Sequence, residues 1–266
     1  MKENNYKATN TKYIIPENLP DNILSGDMPR DKPVLSKELK KKAQRIFGHL
    51  SSYLDRTNKA KLIITVFGGS GSGKTALATY LAHCLSVNDI ACRVLAGDNY
   101  PHLIPQQNDQ RRREVYEEYG ASALAAYLGS AEEIDYEAIN RVISDFKSGK
   151  EKTVVRKMRE TAAEIWQEEF DCRDVRVLLI DWTHGKSPLL AASDLYLFLA
   201  STVEETLSYR RQRKRDEDVA GSFTNLVLTL EQQAIETLID EATLIFDREG
   251  ELVSYRTYKR KQAGKD

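Results

Sequence analysis

The stretch "VFGGSGSGKTA", Val66 to Ala76, constrains this chain more than any other. It fits G-x-x-x-x-G-K-[ST] from Gly68 to Thr75. The preceding "KLIITVF" is short, β-branched and apolar, as a strand buried on both faces of a parallel sheet must be. The following "TALATYLAHCL" places Leu77, Tyr80, Leu81 and Cys84 at helical spacing. A Gly/Ser linker would lack both flanks. At a strand-to-helix turn, glycines let backbone N–H groups curl around a polyphosphate, and the helix N-terminus adds a favourable field. The expected binding residues are Gly68, Gly69, Ser70, Gly71, Ser72, Gly73, Lys74, Thr75 and Ala76. Lys74 reaches the β- and γ-phosphates in such a loop, and the Thr75 hydroxyl holds Mg²⁺. The expected ligands are therefore ATP and Mg²⁺, although the loop by itself does not separate kinase, ATPase and GTPase.

A loop of this kind needs a parallel sheet around it, and the rest of the chain supplies one. "IACRVLAGD" reads as a second strand ending in Asp98, and "VRVLLID" as another ending in Asp181. "SDLYLFLAS" and "ATLIFD" follow, the last with "ELVSYR" as a hairpin partner. Residues 110–147 read as helices, with Asp135 capping one whose Ile139, Val142, Ile143 and Phe146 face inward. "KTVVRKMRE" and "AAEIWQEEF" read as a small hairpin, and a longer helix is expected near 229–241. Alternating strands and helices imply a three-layer α/β sandwich of the P-loop NTPase type. Its sheet is expected to be mostly parallel and five-stranded, with a helical insertion and a lid. Ligands gather at the C-terminal ends of such strands, where the glycine loop, Asp98 and Asp181 all fall.

The expected boundaries are an extended or partly disordered arm over 1–34 and an N-terminal helix over 35–59. A kinase-like domain spans 60–258, with a substrate-side insertion at 105–174 and a lid at 204–222, and a polar tail covers 259–266. The N-terminal helix carries one stripe of Leu39, Ala43, Ile46, Phe47, Leu50, Tyr53 and Leu54, with Ser36 as its N-cap.

Phosphoryl transfer to an alcohol is mostly positioning and charge neutralisation. Asp98 in "LAGDNYPH" is the candidate general base, against the plainer reading of a turn cap before Pro101. Asp181 in "LLIDWTHG" has the Walker B form and is the candidate Mg²⁺ carboxylate. "SYRRQRKRDED" puts Arg210, Arg211, Arg213, Lys214 and Arg215 around one helix. Such a run reads equally as a solvated face or as a lid that clamps phosphates. Arg211 and Arg215 share a face at i, i+4 and form the preferred catalytic pair. The stretch between Asp98 and Asp181 far exceeds the ~2–6 residues of a simple βα connection, so it holds the acceptor pocket. Its candidate substrate residues are Tyr100, His102, Arg112, Lys157 and Arg159, with His184 just past the Walker B-like strand. A structural role competes at each of these.

Net charge is −1, which argues against a nucleic-acid or membrane partner. The three cysteines, Cys84, Cys92 and Cys172, are widely spaced and suggest reduced thiols rather than a metal site. The start "MKENNYKATN" lacks an apolar segment, so a cytoplasmic location is expected.

With these pieces, "GGSGSGKT", "GDNY", "IDYEAINRVISDFKSGK", "LLIDWTHG", "SDLYLFLAS" and "RRQRKRD", the chain resembles the uridine kinase and phosphoribulokinase group of P-loop kinases over residues 60 to 250. The segments "DNYPHLIPQQND" and "DWTHG" resemble a bacterial subgroup labelled adenylylsulfate kinase-like or uridine kinase-like. The resemblance implies that Asp98 is the base, that Lys74 and Thr75 bind phosphate and metal, and that Arg211 and Arg215 close over the donor. The group carries Glu where Asp181 stands, and its nucleoside- and sugar-recognition segments have no counterpart here.

The expected function is transfer of the γ-phosphoryl group of Mg·ATP to a hydroxyl of a small molecule. Nucleoside, phosphosugar and adenylylsulfate-like acceptors remain open, as does a homo-oligomer. The alternative is a nucleotide-binding regulatory ATPase or switch acting on a protein partner. No guanine-reading N-K-x-D segment is evident.

Overall fold

The computed structural model describes residues 12–20, 23, 36–213 and 221–264. Its centre is strand β1 (Leu62–Gly68), whose seven residues are all buried. β1 pairs in parallel with β5 (Val177–Asp181) on one side and β6 (Leu195–Leu199) on the other. β2 (Cys92–Ala96) extends the sheet beyond β5, and β7 (Leu244–Phe246) beyond β6, both in parallel. β8 (Leu252–Val253) closes the edge antiparallel to β7, giving the order β2-β5-β1-β6-β7-β8. The expected sheet had five strands. The sixth is the two-residue return of the terminal hairpin, too short to show alternation. The mostly parallel sandwich is otherwise as expected.

Residues alternate across a strand, so each face of β1 meets a different layer. Leu62, Ile64 and Val66 pack in one cluster with Ala43, Ile46, Phe47 and Leu50 of α1 (Lys37–Leu54) and Leu77, Leu81 and Leu85 of α2 (Lys74–Ser86). Ile63 points the other way, into a cluster with Ile139, Val142, Ile143 and Phe146 of α4 (Tyr136–Lys147). Phe67 joins Phe198, Ile245 and Ile235 on that same side. Each fully buried aliphatic or aromatic side chain contributes about 1.5–3 kcal/mol. The caps expected from sequence are present: Ser36 Oγ accepts from Leu39 N at 3.1 Å, and Asp135 Oδ1 accepts from Ala138 N at 2.9 Å.

The insertion consists of α3 (Pro105–Tyr127), α4 and the hairpin β3 (Lys152–Met158) with β4 (Ile165–Asp171). Proline at the first turn starts α3, and Gly120, at φ 81°, breaks it. The arginine-rich lid segment is α5 (Val203–Arg213), and α6 (Ser222–Thr237) follows. The helix expected near 229–241 therefore begins and ends earlier. The last helix, α7 (Tyr255–Gln262), runs into the expected polar tail, whose described residues are exposed. Its Lys/Arg-rich surface hid a single anchor, Tyr258, which is buried with its ring 5.8 Å from that of Phe198.

Most of the expected arm lies outside the described residues, but its 12–20 portion is docked. Asn88 Oδ1 accepts from Ile14 N at 2.7 Å, Asn88 Nδ2 donates to Ile14 O at 2.8 Å, and Tyr80 Oη donates to Pro16 O at 2.5 Å. No helix among the described residues is long and apolar enough to cross a membrane.

Candidate phosphate-loop and acceptor site

The sheet register brings the expected site residues to one edge. Val66 of β1 is the Cα partner of Asp181, and Asp181 is the partner of Ala96. Two residues beyond Val66 the glycine loop begins, and two beyond Ala96 stands Asp98. The three chain segments therefore leave the sheet side by side.

Gly71 and Gly73 take φ values of +80° and +91°, a left-handed backbone that glycine adopts without strain. Gly73 is the N-cap of α2 with no side-chain hydrogen bond, so the first N–H groups of that helix face the loop. Ser72 Oγ is buried with no hydrogen-bond partner. Lys74 Nζ folds back to donate to Gly69 O at 3.0 Å. This combination of a helix N-terminus, an orphaned hydroxyl and a lysine fits a polyphosphate. Thr75 lies at the start of α2, and Asp181 is buried at the end of β5. No cluster of three or more His, Cys, Asp or Glu that could hold a metal is found among the described residues. The residues expected at the metal, Thr75 and Asp181, are a hydroxyl and a carboxylate, oxygen donors of the kind Mg²⁺ takes.

Three helices press on the loop. At Gly71 a Cβ would stand 2.9 Å from both Arg210 Cγ and Thr206 Cβ of α5. Arg210 is buried, with Nη2 donating to Val203 O at 2.9 Å. At Gly69 a Cβ would collide with the side-chain amide oxygen of Gln232 on α6. Behind the loop, a Cβ on Gly73 would stand 3.2 Å from Leu39 Cδ1 of α1. Between loop, α5 and α6 runs a cleft of about 10 Å³, room for roughly one water, lined by Gly69, Ser70, Ser201, Thr202, Thr206 and Gln232.

The Arg211 side chain and the whole of Arg215 lie outside what is described, whereas Arg210, in the same run, reaches Gly71. Sequence spacing showed a face rich in arginine but not which face turns inward. Gln232 carried no sequence signal, being one glutamine on a mixed helix.

Asp98 is exposed, in a 3₁₀ turn spanning Gly97–Asn99. Its neighbours hold that turn. Gly97 lies so close under Trp182 that any Cβ would strike the indole, and Asn99 Oδ1 accepts from Met158 N at 3.1 Å. Tyr100, expected at the substrate, is fully buried in the cluster with Ile139 and Trp182, a core position rather than a pocket wall. His102 is exposed, and its ring Nε2 lies 3.2 Å from Ala131 O while its N donates to Glu133 O at 2.9 Å, so it joins two loops. Lys157 is buried, with Nζ 3.8 Å from Glu168 Oε2. Arg159 donates its backbone N to Glu164 O at the hairpin turn.

Arg112 sits at the centre of a buried ionic node. Its Nε donates to Glu133 Oε1 at 2.6 Å and its Nη2 to Glu231 Oε1 at 3.1 Å. Asp109 Oδ1 is 3.8 Å from Nη1. Burial would lower the basicity of this guanidinium, but the surrounding carboxylates reverse that and raise it. Burial likewise pushes the Glu133 carboxyl up, yet Arg112 and the Gly129 N–H, 2.6 Å away, leave it below the ordinary glutamate value. His184 Nε2 lies 3.8 Å from Glu231 Oε1, and its ring stands edge-on to Trp182 at 5.6 Å. Arg112 and His184 thus meet at Glu231, which, like Glu133, the sequence did not single out.

No family model matches the chain. It is 40% identical over 210 residues, 79% of its length, to the bifunctional alpha-galactosidase/sucrose kinase AgaSK of Mediterraneibacter gnavus. The match spans only 22% of that relative. Among solved structures, a Silicibacter protein named as a candidate fructose transport system kinase is 20% identical with a TM-score of 0.56, over 77% of this chain and 98% of that one. Phosphoribulokinase of Rhodobacter spheroides is 15% identical with a TM-score of 0.51, over 71% of each chain. D-glycerate 3-kinase of Cryptococcus neoformans is 11% identical with a TM-score of 0.50, over 83% of this chain and 99% of that one. The fold of this chain, a mostly parallel α/β sandwich, is thus like that of these kinase structures.

Proposed function

We propose that this chain transfers the γ-phosphoryl group of Mg·ATP to a hydroxyl of a sugar, with sucrose the first acceptor to test. The observation that carries the reading is the common edge at which the glycine loop, Asp181 and the exposed Asp98 leave the sheet. The likeness to a relative that combines a galactosidase with a sucrose kinase supports the sugar. Because the fold is a kinase fold, the kinase half of that name is the relevant one.

The loop N–H groups and Lys74 would hold the polyphosphate. Thr75 and Asp181 would hold Mg²⁺, which supplies charge neutralisation when bound. Arg210 stands over Gly71, where a cation stabilises the phosphoryl group in transfer. The Asp98 carboxylate accepts the proton of the attacking hydroxyl, which becomes the new ester oxygen. ADP is the leaving group. Arg211 and Arg215 remain further candidates to close the lid.

The test is ADP release with Mg·ATP over a panel of sucrose, monosaccharides, sugar phosphates, nucleosides and adenylylsulfate. Acceptor-dependent release is expected with a sugar. Asp98→Asn should lower it by about 10²–10⁴-fold, the usual contribution of a positioned base, while leaving nucleotide affinity intact. Full transfer by Asp98→Asn rejects the base. A flat response to every acceptor, with tight nucleotide binding, favours the regulatory switch.

A further inference from the structure

Glu231 and Gln232 are neighbours on α6 that face two different parts of the site. Glu231 Oε1 takes Arg112 Nη2 at 3.1 Å and has His184 Nε2 at 3.8 Å. Gln232 donates its Nε2 to Glu236 Oε1 at 2.6 Å and turns its oxygen onto the phosphate loop at Gly69. Behind Glu231, both acceptor-side loops converge. Arg112 is tied to Glu133, whose backbone oxygen accepts from His102 N, four residues past Asp98. His184 lies three residues past Asp181 on the other loop.

We propose that Glu231 is a positioning residue that couples these acceptor-side loops to the phosphate loop, acting through Gln232. The proposal rests on the phosphotransferase reading above and extends it to how the two substrates sense each other. A helix is stiff over one residue, so a shift imposed on Glu231 by Arg112 or His184 is carried to Gln232 and hence to Gly69. The reverse holds when the loop closes on a polyphosphate, since coupling between sites is reciprocal. Glu231 suits this role because it is dispensable to the pairing of Arg112. Glu133 Oε1 at 2.6 Å keeps the guanidinium neutralised without it, and Asn108 Nδ2 holds the same oxygen at 2.9 Å.

The experiment needs no acceptor. Trp166→Phe leaves Trp182 as the only indole, and the ring of His184 beside it makes its emission a reporter of the acceptor-side loop. In that background, a non-hydrolysable ATP analogue with Mg²⁺ is titrated by calorimetry and by fluorescence. Nucleotide binding should change the emission. Glu231→Gln and Gln232→Ala should each abolish that change while the nucleotide dissociation constant moves less than about tenfold, the scale of a single coupling. The double variant should do no more than either single one, because the two side chains act in series. Where an acceptor is known, the factor by which it tightens nucleotide binding should fall in the same variants.

An emission change that persists in Glu231→Gln overturns the proposal, as do additive effects or a parent protein whose emission ignores nucleotide. The kinase reading fails separately, by absence of acceptor-dependent ADP release. A transmitted emission change without transfer would keep the coupling and reject the kinase.

Discussion

Gly97 shows how one residue places the candidate base. Asp98 has no side-chain partner shown that would hold it, so its position depends on the turn that carries it. That turn lies flat beneath Trp182, with the indole occupying the space where any Cβ of residue 97 would be. Trp182 is 2% exposed, packed by Tyr136 at 5.6 Å and by His184, and cannot yield easily. Gly97→Ala should therefore behave as an overpacking substitution, costing about 1–3 kcal/mol in urea unfolding. It should also lower kcat, since the displaced turn carries Asp98 with it. Stability within about 0.5 kcal/mol of the parent, a normal surface value, would mean that the indole moves freely. The same site marks where residue-level reading reached its limit. The glycine loop, Asp98 and Asp181 were legible because their types and spacing carry chemistry. The buried role of Tyr100 was not legible, because an aromatic after a strand-end turn packs inward or outward according to what the insertion places over it.

At the scale of elements, the sequence predicted strands and caps well wherever local signals were strong. Ser36 and Asp135 cap their helices, and the hairpin of β3 and β4 forms as expected. The boundary of α6 failed where tertiary contacts decide. The ionic node between α3 and α6 was invisible for the same reason. Glu133 and Glu231 are remote in sequence and become partners of Arg112 only once the insertion folds. That node makes an acid-stability prediction. The Glu133 carboxyl lies below its ordinary value, so its stabilising share is fully present above the unfolded glutamate pKa. It is lost as pH falls through the lowered folded value. Glu133→Ala should cost about 3–5 kcal/mol at neutral pH, the scale for breaking a buried pair. Its unfolding free energy should also fall less steeply than the parent's below about pH 4.5, the ordinary glutamate value. Equal acid slopes in the two proteins would remove Glu133 from the account.

At the scale of the whole molecule, the phosphate loop is where the layers meet. β1 feeds it, α2 leaves it, α1 backs it through Leu39, and α5 and α6 cover it through Arg210, Thr206 and Gln232. The docked 12–20 segment adds hydrogen bonds to Tyr80 of α2 and to Asn88 just past its end. A ligand seated there touches elements from both faces of the sheet, so its binding energy should act on global unfolding rather than on one loop. For a ligand that binds only the folded state, 100 times its dissociation constant adds about 2.7 kcal/mol. In a chain of this size each kcal/mol moves Tm by about 2–4 °C, so Mg·ATP should raise Tm by about 5–11 °C. Lys74→Ala removes the charge expected to meet the phosphates, together with the hydrogen bond to Gly69 O. Its Tm without nucleotide should therefore stay within a few degrees of the parent's, while the nucleotide-induced rise should largely disappear. A full rise in Lys74→Ala would mean that nucleotide binds elsewhere on the molecule. A rise confined to local hydrogen-exchange protection, with Tm unmoved, would mean that the loop opens independently of the sheet. The contacts from α1, α5 and α6 argue against such independence, because each would have to release the loop before it could move alone.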